Sequence, residues 1–200
     1  MRRHIPFLKS KPTVAVVRLS GVIMSGRGLN DRTSGALLEK AFRSKPEAVA
    51  LVINSPGGSP VQSSLIGARI RRLSEEKKVP VTAFVEDVAA SGGYWLAAAA
   101  DEILVDESSV IGSIGVISSG FGLHEFIAKN GIERRVYTAG VSKSMNDMFM
   151  PEKPEDVDRL KGLLEDIHQT FKSHVSSRRA EKLADGEDLF TGEVWVGQKG

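Results

Sequence analysis

The chain has 200 residues, 41% of them hydrophobic and 26% charged. These proportions fit one folded domain and exclude disordered and fibrous classes. A formal net charge of +2 is too balanced for a nucleic-acid binder that works by charge. The lack of any cysteine excludes disulfides, thiol nucleophiles and cysteine-held zinc or iron–sulfur centres.

The N-terminal residues 1–12 read as a basic tail. They carry Arg2, Arg3, Lys9 and Lys11 but no apolar core region, so they are not a signal peptide. Such a cluster suits an anionic membrane surface as well as plain solvent. Val14 to Leu19 and Ala48 to Ile53 follow as short β-branched runs, the pattern of strands buried on both faces. Leu65, Ile66, Ile70 and Leu73 form a helical stripe that ends in the charged run Arg71 to Lys78. Val79 to Val85, Glu102 to Val105 and Arg135 to Thr138 read as further strands. Tyr94 to Ala100 is a short alanine-rich helix, and the helix from Leu123 ends at Asn130-Gly131, a stop signal. From Glu155 to Lys182, Val157, Leu160, Leu163, Leu164, Ile167 and Phe171 recur at helical spacing.

Strands that alternate with helices predict an α/β domain with a largely parallel sheet. Residues 13–200 read as one such domain with a protruding helical segment. Val194 to Gly200 stops without a terminal element, so the natural C-terminal end is expected to be missing. The longest stretch free of charge, Ser108 to Leu123, is rich in Gly and Ser. It falls short of the roughly 20 apolar residues of a spanning helix. The chain is therefore expected to be cytoplasmic or peripheral to the inner membrane.

Three segments carry candidate chemistry. Asn54-Ser-Pro-Gly-Gly-Ser follows a strand, and its paired glycines can turn backbone N–H groups into a concavity, as an oxyanion hole requires. A structural strand-to-helix turn is an equal reading, and the lysine of a phosphate loop is absent. In Ala89-Ala-Ser91-Gly-Gly-Tyr a serine opens a helix between small residues. That placement exposes a hydroxyl near the positive end of the helix dipole, although a helix-capping serine is the commoner case. Tyr137-Thr-Ala-Gly-Val-Ser-Lys143-Ser sets one lysine among small and apolar residues. Burial disfavours an ammonium and makes lysine a general base, whereas a lysine that reaches solvent is ordinary. His124 is the rival base. The four histidines, His4, His124, His168 and His174, form no i,i+3 or i,i+4 pair, so no metal site is expected.

Asn54-Ser-Pro-Gly-Gly-Ser, Ala90-Ser-Gly-Gly-Tyr, Ile111-Gly-Ser-Ile-Gly-Val and Tyr137-Thr-Ala-Gly-Val-Ser-Lys-Ser together resemble the signal peptide peptidase A (protease IV) family of serine peptidases. The resemblance runs from about Val14 to the last residue. It implies a Clp protease/crotonase-like fold, a spiral of βαβ units whose sheet edge receives an extended peptide. It also implies that Ser91 is the nucleophile and Lys143 the general base of a Ser-Lys dyad. By the same resemblance Gly58 and Gly92 supply the oxyanion N–H groups, and Ser113 holds the lysine. The family needs no cofactor and no metal. Its members cleave hydrophobic peptides, including remnant signal peptides, and form homo-oligomeric rings; most bacterial members carry an N-terminal membrane anchor that is not visible here. Two other functions compete. A crotonase-like acyl-CoA enzyme needs a carboxylate base, for which only Asp147 lies within the motifs. A non-catalytic or phage-type assembly module would use the same residues for packing alone.

Overall fold

A computed structural model describes residues 12–140, 142–184 and 186–199. The basic cluster of the N-terminal tail and Val141 lie outside the described residues. By internal contacts the chain forms two compact units, residues 1–115 with 171–200 and residues 116–170.

The first unit is built on β1 (Val14–Ser20), α1 (Asp31–Arg43), β2 (Ala48–Ser55), α2 (Pro60–Lys77), β3 (Val81–Ala90), α3 (Gly92–Ala98), β4 (Glu102–Val105), β5 (Val110–Gly112) and β6 (Val194–Val196). The strand order is β1-β2-β3-β5-β6, with β4 also on β3. All pairs are parallel except β5 with β6. β3 is long enough to pair with β4 through Thr82 to Val85 and with β5 through Val88 to Ala90. The α/β class and the βαβ units expected from the sequence are therefore present.

Each helix starts where local chemistry allows it. Asn30 Oδ1 accepts the Thr33 N–H (3.1 Å) at the head of α1, satisfying one orphan donor. Ser59 caps α2 with Pro60 in its first turn, where a missing N–H costs nothing. Leu38 and Phe42 of α1, Ile66, Ile70 and Leu73 of α2 and Leu96 of α3 join Val17, Leu19, Leu51, Ile53, Val81 and Val85 in one core. The other sheet face stays open at Val14, Val16, Phe84 and Leu104. β1 thus buries one face rather than the two its β-branched run predicts, because the helices of this unit join the core through the Val17 and Leu19 side.

Asp31 in the first turn of α1 accepts two hydrogen bonds from Arg69 of α2, from Nε (2.8 Å) and Nη2 (2.9 Å). The bond to Arg69 holds the Asp31 carboxyl below its ordinary value, with burial opposing. A lowered carboxylate contributes stability above the unfolded value, near 4, and loses it as pH falls further. Asp31→Asn should therefore cost on the order of 1 kcal/mol at neutral pH. The gap in Tm between variant and wild type should narrow progressively as pH falls below about 4; a gap that stays constant would show the pair contributes nothing through its charge.

The second unit holds α4 (His124–Lys129) and the first part of α5 (Pro154–Arg179), a single 26-residue helix that runs on into the first unit and ends in a 3₁₀ turn at Ala180–Lys182. Arg135 to Thr138 forms no strand, contrary to its β-propensity. Tyr137 there is 90% exposed, and without a neighbouring strand or a covered face the local preference has nothing to pair with. Among the described residues no helix is long and apolar enough to cross a membrane.

Candidate active site

The C-terminal ends of β2 and β3 and the start of α3 bring two of the sequence motifs together. β3 ends at Ala90, and the chain turns directly into α3 through Ser91, whose φ is 52° and ψ −122°. A non-glycine residue in that region costs about 1–3 kcal/mol and persists only when its surroundings enforce it. Here the Ser91 N–H donates to the Gly112 carbonyl (2.8 Å) and its own carbonyl accepts the Trp95 N–H (3.0 Å). The Ser91 side chain makes no capping hydrogen bond to α3. The plain helix-cap reading therefore does not describe this serine. The residue is half-buried.

The turn after β2 packs straight against it. Gly57 and Gly58 have φ of 97° and 142°. A Cβ on Gly57 would lie 2.7 Å from the Ala90 carbonyl oxygen, 2.7 Å from Gly92 N and 2.8 Å from Ser91 Cβ. Only a bare backbone can come that close. The turn is held from below: the Ser55 hydroxyl donates to the Gly21 carbonyl (2.7 Å) and accepts the Gly57 N–H (3.2 Å), and the Ile23 N–H donates to the Gly57 carbonyl (2.8 Å). The Gly58 N–H has no acceptor among the described residues, and Gly92 supplies the first N–H of α3, one of the helix's orphan donors. Ile23 and Ser63, whose hydroxyl a Cβ on Gly92 would strike, complete this wall. Neither carries a sequence signal, since each matters only through a contact across the fold.

Ser113 follows Gly112 as Ser91 follows Ala90, and Ala90 and Gly112 are paired in adjacent strands. It too has a positive φ, 54°, and its N–H donates to the Glu193 carbonyl (2.6 Å). Among the described residues its hydroxyl has no partner. Ser91, Gly58, Gly92 and Ser113 thus belong to one stretch of the first unit.

Lys143 belongs to the second unit. It lies in consecutive turns, its N–H donating to the Gly140 carbonyl (3.2 Å), and its side chain is exposed. The burial expected from its apolar neighbours is not found in the single chain, because Tyr137 and Met148 are themselves exposed and give no cover. His124 opens α4 in the same unit and is half-buried. Asp147 is committed elsewhere. The Phe149 N–H and Arg134 (2.9 Å) hold its carboxyl below the usual range. It is a bound anion, a poor candidate for the free carboxylate base of an acyl-CoA enzyme.

A family model described as peptidase family S49 matches residues 74–200. A protein of Brucella melitensis biotype 1 named Na(+)/H(+) antiporter NhaA is 52% identical over 98% of this chain and 28% of its own. The putative protease SohB of Buchnera aphidicola subsp. Baizongia pistaciae is 31% identical over 97% of this chain and 54% of its own. The chloroplastic serine protease SPPA of Arabidopsis thaliana is 30% identical over 92% of this chain and 28% of its own. The chain thus spans between about a quarter and about half of the length of these relatives. The matched residues take in more than half of the chain and include the Ser91 turn, Ser113 and Lys143; the chain belongs to peptidase family S49.

Proposed function

We propose that this chain is the catalytic part of a serine endopeptidase in which Ser91 and Lys143 form the dyad and extended hydrophobic peptides, such as remnant signal peptides, are the substrates. The observation that carries the reading is Ser91 itself, a serine held at positive φ whose hydroxyl does not cap its helix, packed against a glycine turn. Strain of this kind is kept where a side chain must be aimed.

The reaction is acyl transfer. Neutral Lys143 takes the proton from Ser91 as Oγ bonds to the scissile carbonyl carbon, and the carbonyl oxygen becomes an oxyanion. The Gly58 and Gly92 N–H groups donate to it, each worth roughly 3–4 kcal/mol of barrier by comparison with other hydrolases. The C–N bond breaks as the lysinium gives its proton to the leaving amine. Water then attacks the ester with Lys143 again as base, and the proton returns to Ser91 as the acid is released. The free Ser113 hydroxyl is suited to orient the amine without adding charge. In this reading the exposed Lys143 is desolvated by bound peptide or by a second copy in a ring. The reaction calls for no cofactor. Attachment to the inner membrane through the basic tail, or a cytoplasmic location, fits the same reading.

The test compares wild type, Lys143→Ala and His124→Ala on a fluorogenic hydrophobic peptide. Lys143→Ala should lose at least about 10³-fold in kcat, while His124→Ala stays within about threefold. The opposite pattern would make His124 the base. Turnover of a coenzyme A thioester instead of peptide would favour the acyl-CoA enzyme.

A further inference from the structure

The helix that begins at Ser91 is gripped from behind by α5, and the contact is made by a histidine that the dyad does not use. His174 stacks on the Trp95 indole, with ring centroids 4.6 Å apart and planes 10° apart, and its Nε2–H donates to the Trp95 carbonyl oxygen (3.0 Å). Phe171, one turn earlier on α5, packs on the same indole at 5.0 Å. From α2, a Cβ on Gly67 would lie 3.1 Å from the Trp95 ring, so the indole is wedged between two helices. Trp95 is also the residue whose N–H donates to the Ser91 carbonyl. One peptide chain of contacts therefore runs from His174 through Trp95 to the backbone of Ser91.

We propose that His174 is a positioning residue for the nucleophile: its imidazole, stacked on Trp95 and bonded to the Trp95 carbonyl, holds the first turn of α3, and a charge gained in acid on this packed ring, which water solvates poorly, draws it off the indole and lowers the reactivity of Ser91. The inference rests on the reading of Ser91 as nucleophile. Burial holds His174 below the ordinary histidine value; Arg178 acts in the same direction, while the bond to Trp95 opposes both. Arg178 is the charged group that bears on the ring. It is itself anchored, by Asp101 (3.2 Å) and by the carbonyls of Ala98 (3.4 Å) and Ala100 (3.2 Å) at the other end of α3. A depressed histidine contributes its stability in full above its unfolded value, near 6.5. That contribution is lost as pH falls through the lower folded value.

The experiment is a pH profile of kcat/KM for wild type, His174→Gln and His174→Phe, with tryptophan emission followed over the same range. Gln keeps a donor but cannot titrate; Phe keeps the stacked ring but cannot donate. Protonation of the general base alone gives a limiting acid slope of about one, and a second essential neutral group raises it to about two. The wild type should reach the steeper slope in acid, at pH values below the ordinary histidine value near 6.5. His174→Gln should show the shallower slope and lie within about threefold of wild type at neutral pH. His174→Phe should lower kcat about tenfold with KM unchanged. The wild-type emission should step with pH as the charged ring quenches Trp95, and the variants should not step. An acid slope in His174→Gln equal to that of wild type would overturn the positioning role, as would activity losses that only track losses in Tm. If Ser91 fails to react with a fluorophosphonate at any pH, the peptidase reading fails instead, and the emission step still reports whether His174 is coupled to Trp95.

Discussion

Ser91→Ala should lower kcat/KM for a hydrophobic peptide by roughly 10⁴–10⁶-fold while leaving Tm almost unchanged. On the proposed mechanism the size of the loss follows from removing the atom that would form the acyl bond, after which only binding and the oxyanion donors would remain to accelerate the reaction. The small effect on stability follows from the geometry. The hydroxyl caps no helix N–H, and the bonds that hold the turn are made by the backbone, to Gly112 and from Trp95. Alanine keeps that backbone, and it meets the same positive φ at similar strain, so the change should stay within about 0.5 kcal/mol. Circular dichroism and a melting curve beside the activity assay separate the two effects. A variant that keeps turnover within tenfold would remove Ser91 as the nucleophile. An unstable variant would return Ser91 to a structural role and favour the assembly-module reading.

Gly57→Ala should be a strongly damaging single-methyl change beside Ser91. Three atoms stand in the way, and two of them, the Ala90 carbonyl oxygen and Gly92 N, are backbone at 2.7 Å, so no flexible side chain can yield. The φ of 97° adds strain that any L side chain meets. The expected cost is about 2–4 kcal/mol in stability. In kcat the loss should be about 10²–10³-fold, because the turn that carries the Gly58 N–H is pushed away from Ser91. Gly26→Ala is the matched control. Its φ of 77° is similarly positive but nothing lies within 4 Å of the added methyl, so it should cost only about 1–2 kcal/mol and leave kcat as it was. Equal kcat losses in the two variants would mean that backbone strain alone, and not the contact with Ser91, sets the activity.

Much of the fold was legible because its signals are local. The β-branched runs at Val14 and Ala48, the alanine-rich helix after Ser91 and the long apolar period after Glu155 all depend on residues a few positions apart. α1 escaped the periodicity reading although its cap, Asn30, and its inward residues Ser34, Leu38 and Phe42 stand at helical spacing; Ser34 and Gly35 dilute the apolar stripe. β5 and β6 were not legible either, each being three residues long, too short for a period and defined only by its partner strand.

In the candidate site the division is the same. The residue types and the order of the motifs came from the sequence alone, because a glycine pair after a strand and a serine before a helix are local chemistry that carries its own meaning. That Gly57 lies against Ser91, that the serine hydroxyl caps no helix N–H, that Val14 and Val16 of β1 are exposed and that Lys143 is exposed were decided by tertiary structure. Each of these is a contact, or a missing one, between residues far apart in the chain. Burial and approach are properties of what the folded chain brings alongside, and no local pattern encodes them.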